Sequence, residues 1–207
     1  MVSLPTLLTL FRMAMGPAIA GLVLWAVSVF HSDRLLTGFI YALCAILFVL
    51  AALTDWLDGW LARKLDAVTP LGAALDHSAD KVLITCVLVA LAYASLPLNL
   101  VAAAALILGR DVAVAGLREA LAAQGKALPV SSLGKWKAAA EMVGVTVFLV
   151  FQAAAVLFAP AEVVSGLAWG AQILIWIAAA LALVSGGQYV AALLRGSVQP
   201  AELDRVQ

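Results

Sequence analysis

Hydrophobic residues in this chain come in long uncharged runs separated by short polar breaks, the pattern of helices that cross a bilayer. In residues 1–12, Leu4, Leu7, Leu8 and Phe11 recur at helical spacing, with Ser3 and Thr6 as capping candidates. They predict a short interfacial helix that enters the membrane near Arg12. Residues 13–30 carry no charge and suffice for a first span, with Gly16-Pro17 as either its start or a kink. His31, Ser32, Asp33 and Arg34 form a loop, and residues 35–54 make a second span that runs directly into Asp55.

The next uncharged run, residues 82–108, is longer than the roughly 20 residues one span needs and too short for two. Ser95-Leu96-Pro97-Leu98-Asn99 is the expected break. A third helix then begins near Gly72 and carries Asp76 and Asp80 in its first turns. A fourth begins near Pro97, runs through Arg110, Asp111 and Arg118, and stops at Gln124-Gly125-Lys126. A polar link over 129–134 leads to Lys135 and Lys137. Residues 142–161 form the fifth span and 163–194 the sixth, with a bend at Gly186-Gly187. The polar tail after Arg195 is expected to fray. The fold class is therefore all-α: six transmembrane helices and a short N-terminal interfacial helix, in one membrane domain over 1–207.

Composition supports this class. A mean hydropathy of +1.10 with 12% charged residues excludes a soluble protein. Twelve basic and twelve acidic residues cancel, so nucleic-acid binding has no electrostatic support. Cys44 and Cys86 lie inside apolar runs and read as small core hydrophobes, without zinc spacing. No basic segment precedes the first apolar run, so no removable signal peptide is expected. Six spans put both termini on one side of the membrane. Arg63, Lys64, Arg118, Lys126, Lys135, Lys137, Arg195 and Arg205 fall on that side, and Arg34 stands nearly alone opposite. The positive-inside rule then makes the termini cytoplasmic and predicts a multi-pass protein of the cell (inner) membrane.

The candidate chemistry lies in residues 55–80. Asp55 and Asp58 are spaced i,i+3, and Asp76 and Asp80 i,i+4, so each pair shares a helix face. A short turn over 64–70 joins the two helices. That predicts an antiparallel pair bringing four carboxylates together near the interface. Left alone they would repel, and hard divalent cations with oxygen ligands are the natural compensation. Gly59, Ala62 and Gly72 remove side-chain bulk where a ligand or a helix would approach, and Arg63 offers a fork to phosphate. Together these residues suit a metal-bound phosphate ester. His77 sits about 100° around the helix from Asp76 and is not read as a ligand. His31 reads as solvated, and Trp56, Trp60 and Trp136 as an interfacial aromatic belt. Lys81 reads as charge balance.

The spacing D-x2-D-G-x2-A-R-x8-G-x3-D-x3-D, filled here by Asp55, Asp58, Gly59, Ala62, Arg63, Gly72, Asp76 and Asp80, resembles the signature of the CDP-alcohol phosphotransferase family. The N-terminal Leu4-Pro5-Thr6-Leu7-Leu8-Thr9-Leu10-Phe11-Arg12 is similar to bacterial members that take glycerol 3-phosphate as acceptor, except that many relatives carry Asn where Thr6 stands. Gly109-Arg110-Asp111, Leu117-Arg118-Glu119 and Leu133-Gly134-Lys135-Trp136-Lys137 are similar to the same members, so the resemblance covers about residues 4–145. It implies transfer of a phosphatidyl group from CDP-diacylglycerol to sn-glycerol 3-phosphate, with release of CMP. It implies two divalent ions, Mg²⁺ or Mn²⁺, on Asp55, Asp58, Asp76 and Asp80, with Asp80 also the general base. Gly59, Ala62, Arg63, Thr69 and Gly72 become donor-binding residues, and membrane lipids and a homodimeric partner are expected.

Arg110, Arg118, Lys135 and Lys137 are the candidates for the acceptor phosphate, because a small dianion needs cations near the carboxylates without being buried by them. Arg110 reads alternatively as a structural pair with a nearby acid, and the two lysines as topology markers. Inositol phosphate, serine or phosphatidylglycerol as acceptor would leave the central stretch unchanged. A cation transporter is the competing class, disfavoured because all four carboxylates lie at one membrane face.

Overall fold

The computed structural model describes residues 4–64, 70–127, 132–194 and 199–200. For 4–6, 55–64, 70–77, 127, 132, 192 and 199–200 it describes the backbone alone. Six long helices follow one another: α1 (Leu4–Val29), α2 (Arg34–Lys64), α3 (Pro70–Ala94), α4 (Leu98–Ala122), α5 (Ser132–Val156) and α6 (Ala161–Leu194). Among the described residues, α1, α2, α4, α5 and α6 each hold a stretch long and apolar enough to cross a membrane. The protein is an all-α integral membrane protein.

The breaks have local causes. Asp33 caps α2: its Oδ1 accepts from the Leu36 backbone N–H at 2.9 Å. Pro97 separates α3 from α4, and Gly125, at φ +68°, ends the turn after α4. Pro160 opens α6, and its carbonyl accepts from Val163 and Val164.

Three expected boundaries move. The interfacial helix and the first span are one continuous helix, α1, with Pro17 inside it. Neighbouring helices tolerate a proline within a membrane span when they hold the surrounding backbone. The fifth helix starts at Ser132 rather than 142 and ends at Val156 rather than 161. Lys135 and Lys137 do not stop it, because Lys137 and Glu141 pair at i,i+4 inside it. Its end coincides with Phe158, at φ +61°, just before Pro160. At the sixth helix, Gly186 and Gly187 lie within continuous α6. The tail is not wholly without structure: β2 (Gln199–Pro200) pairs antiparallel with β1 (Lys126–Ala127), Lys126 opposite Pro200.

The chain divides into two compact units, residues 1–98 with 142–173 and residues 99–141 with 174–207. In the first, α1 packs on both α2 and α3. Ile19, Val23 and Ala26 of α1 are fully buried, as are Cys44, Phe48 and Ala51 of α2 and Leu83, Val87 and Leu91 of α3. The opposite faces expose Trp25, Phe39, Ile46, Leu53 and Val89, as suits lipid-facing surfaces. Lipid is as apolar as leucine, so close fit rather than water exclusion must hold these helices together. Gly16 supplies a close backbone approach. A Cβ there would lie 2.9 Å from Leu83 Cα and 3.1 Å from the Val82 carbonyl oxygen, so only glycine lets the α1 and α3 backbones meet. Thr37 Oγ1 donates to the Asp33 carbonyl at 2.9 Å and lies 3.5 Å from the Ala26 carbonyl of α1. In the second unit, α4 buries Leu100, Ala103, Ala104, Ile107, Val114 and Leu121.

Candidate functional site

The four aspartates sit on two helices. Asp55 and Asp58 lie in the last turns of α2, and Asp76 and Asp80 in the first turns of α3. The side chains of Asp55, Asp58, Gly59, Ala62, Arg63, Gly72 and Asp76 fall outside the description, as does Thr69 altogether. Asp80 is described. Its Oδ1 accepts from Arg12 Nη1 at 2.6 Å, a short charge-assisted contact from α1 to α3. Arg12 has no solvent exposure, whereas the Asp80 side chain keeps 33%. The pair thus has a buried cationic end and an open carboxylate end. Among the described residues no three His, Cys, Asp or Glu side chains group closely enough for a metal ion, and three of the four aspartates lie outside that search. The donor set is oxygen only, which fits a hard divalent cation.

A second cluster lies within the other unit. It is assembled from α4, the first turns of α5 and the second half of α6. Lys137 bridges two carboxylates, Asp111 Oδ2 at 2.6 Å and Glu141 Oε2 at 2.5 Å. Lys137 and Glu141 are both 4% exposed, and an ammonium that deep needs such partners. Arg110 Nη1 donates to Asp111 Oδ1 at 3.0 Å and Nη2 to Ser185 Oγ at 2.9 Å. Gly186 makes room for it: a Cβ there would come 3.1 Å from Arg110 Cγ. Arg118 Nη2 donates to the Tyr189 hydroxyl at 3.1 Å. Both guanidinium groups lie over the Tyr189 ring, Arg110 at 5.5 Å and Arg118 at 5.6 Å from its centroid, within cation–π range. Arg110 Nε and Glu141 Oε1 are buried without a hydrogen-bond partner. Three cations face two carboxylates, so the cluster suits an anion better than a cation.

Three of the four cations expected at an acceptor phosphate therefore gather here, and Lys135 is exposed on α5. Arg110 does pair with an adjacent acid, the alternative its sequence context left open. Sequence reasoning missed Arg12, Glu141, Ser185 and Tyr189. Arg12 had one signal, as the lone charge between residues 1 and 30. Ser185 and Tyr189, at i,i+4 in an otherwise apolar helix, had another. His31 is exposed, as read, and its ring packs edge-on against Phe30 at 5.3 Å.

A polytopic helical protein with an aspartate pattern on α2 and α3 and cations of α4 and α5 gathered against α6 defines a class: membrane enzymes that work on phosphate esters. Known proteins narrow it. Residues 2–187 match the family described as CDP-alcohol phosphatidyltransferase. The chain is 36% identical over 204 residues to a CDP-diacylglycerol–glycerol-3-phosphate 3-phosphatidyltransferase of Pectobacterium atrosepticum, across 96% of this chain and 98% of that one. It is 35% identical over 195 residues to the protein of the same name from Bacillus subtilis, across 91% and 94%. A cardiolipin synthase (CMP-forming) of Oryza sativa subsp. japonica is 33% identical over 202 residues, across 89% of this chain and 55% of that one. The chain belongs to the CDP-alcohol phosphatidyltransferase family. The family uses a divalent metal, and membership sets aside the ion-path alternative.

Proposed function

We propose that this chain transfers the phosphatidyl group of CDP-diacylglycerol to sn-glycerol 3-phosphate, giving phosphatidylglycerophosphate and CMP. Similarity along nearly the full length of two bacterial proteins of that name carries the reading. In the proposed step Asp80 takes the proton of an acceptor hydroxyl. The oxygen attacks the phosphorus that bears diacylglycerol, the bond from that phosphorus to the CMP oxygen breaks, and CMP leaves. Asp55, Asp58, Asp76 and Asp80 would hold two Mg²⁺ or Mn²⁺ ions, whose charge would offset that of the pyrophosphate. Gly59, Ala62, Arg63, Thr69 and Gly72 receive the donor, with Gly59 and Gly72 leaving space and Arg63 offering its fork to phosphate.

Arg110, Arg118 and Lys137 receive the acceptor phosphate, and Lys135, exposed on the same helix as Lys137, draws it in. The excess of one positive charge among the described cluster supports an anionic acceptor. The lipid tails of the donor keep it in the bilayer. A water-soluble acceptor has only its phosphate to be held by. The chain would act as a homodimer in the cell (inner) membrane, as one membrane domain, with the site and both termini in the cytoplasm. That orientation is supported by the distribution of Lys and Arg among the loops.

The rice relative supports a second reading, in which phosphatidylglycerol is the acceptor and the same bond is broken. An acceptor screen separates them. Purified protein in detergent is given CDP-diacylglycerol, Mg²⁺ and one acceptor at a time, with CMP release measured. Release with glycerol 3-phosphate and none with phosphatidylglycerol, serine or inositol phosphate is the expected result. Release with phosphatidylglycerol alone would move the assignment to the second reading.

A further inference from the structure

We infer that Arg12 is a positioning residue for Asp80: its guanidinium holds the carboxylate from the buried side and fixes the direction in which the open side faces. Arg12 is the lone charge in the first 30 residues and has no solvent exposure. A buried arginine in a membrane helix is costly, and helix packing gives no reason for it, since an aliphatic side chain would fill the same place in the stripe with Ile19, Val23 and Ala26. Its Nη1 reaches Asp80 Oδ1 at 2.6 Å, although 68 residues separate them in sequence.

Packing enforces the contact. Gly16 lies one turn after Arg12, and Leu83 nearly one turn after Asp80, and there the α1 and α3 backbones touch. The two charged groups therefore meet beside a close approach of the α1 and α3 backbones. An aspartate side chain otherwise turns about two bonds, and a carboxylate that must receive a proton benefits from having that freedom removed. The fork of Arg12, itself immobilised by burial, removes it.

The inference rests on Asp80 being the general base, and the test separates the two. Arg12→Gln, Arg12→Lys, Asp80→Asn and the Arg12→Gln/Asp80→Asn double variant are purified in detergent. Thermal unfolding and CMP release are measured on each, with turnover expressed per folded molecule. Arg12→Gln is expected to lower kcat about 10- to 100-fold, the usual effect of removing an outer-shell partner, with both KM values changed less than about threefold. Arg12→Lys keeps the charge without the fork and is expected to fall between Arg12→Gln and the parent. The Tm losses of the two single variants should not add in the double variant, because the groups touch.

Undiminished kcat in Arg12→Gln overturns the positioning role, and so does a loss that appears mainly in the KM for CDP-diacylglycerol. If Arg12→Gln fails to fold, parent-level kcat in Arg12→Lys overturns it. Additive Tm losses overturn the contact itself. Near-normal turnover in Asp80→Asn sinks the base assignment. Loss of turnover there, with full activity in Arg12→Gln, sinks only the present inference.

Discussion

Tyr189 serves two arginines with one side chain. Its ring lies under both guanidinium groups and its hydroxyl accepts from Arg118. Tyr189→Phe keeps the ring and removes the hydroxyl, so the KM for glycerol 3-phosphate should rise about 2- to 10-fold. Tyr189→Leu removes both and should raise it by about tenfold or more, with the CDP-diacylglycerol KM unchanged in either. Kinetics with each substrate varied in turn check this split. Equal effects on both substrates would detach Tyr189 from the acceptor. Asp80 invites a paired comparison of stability. Asn retains an oxygen that accepts from Arg12, whereas Ala leaves a buried guanidinium without that partner. Asp80→Ala should therefore be less stable than Asp80→Asn by about 1–3 kcal/mol in thermal or denaturant unfolding. These residues also mark what a sequence discloses about a site. The placement of the aspartate pairs on two successive helices was legible because helical spacing is local. The Arg12–Asp80, Arg118–Tyr189 and Arg110–Ser185 contacts span 68, 71 and 75 residues, and periodicity carries no information at that range.

Helix ends follow the same division. The breaks at Pro97 and Gly125 were legible, because one fixes the preceding backbone and the other adopts a positive φ. The start of α5 was not, because Lys135 and Lys137 read as polar residues ahead of the uncharged run, whereas Lys137 pairs with Glu141 at i,i+4 inside the same helix. The join of the interfacial segment to the first span was also hidden. A proline reads as a break until the helices around it are known. Gly16, which reads in the sequence as a kink or the start of the first span, proves to be where α1 and α3 cross closely. Gly16→Ala would place its Cβ 2.9 Å from a backbone atom that has little room to yield. Overpacking of this kind costs about 1–3 kcal/mol, visible as a lower Tm in detergent. If the Arg12–Asp80 contact sets turnover, the same variant should also lower kcat without altering either charged group. Asp33→Ala gives a milder test at the other end of the unit. Loss of the cap on Leu36 should cost about 0.5–2 kcal/mol and leave turnover of the folded protein unaffected.

Across the whole molecule the charges decide which face of the membrane the chemistry meets. CDP-diacylglycerol presents its nucleotide at the surface of one leaflet, and glycerol 3-phosphate carries too much charge to cross the bilayer unaided. If the aspartates and the proposed acceptor cations act in the transfer, each group must face the side that holds the soluble substrate. Arg34, the first residue of α2, is the one basic residue beside the loop after α1, whereas Lys126 follows α4 and Lys135 lies in the first turn of α5. Six crossings would put the residues after α4 on the same side as those after α2 and opposite the residues after α1. Single cysteines report this directly, once Cys44→Ala and Cys86→Ala have removed the two native thiols; Ala suits the fully buried Cys44 because serine would place a hydroxyl in an apolar core. Ser32→Cys and Gln124→Cys use exposed positions in loops. A membrane-impermeant maleimide should label Ser32→Cys in right-side-out vesicles and Gln124→Cys in inverted vesicles. Labelling of Gln124→Cys from the outer face would reverse the orientation and deny the acceptor cations access to cytoplasmic glycerol 3-phosphate. Labelling of both positions from one side would mean that the number of crossings between α1 and α4 is even, so that α2, α3 or α4 does not traverse the bilayer.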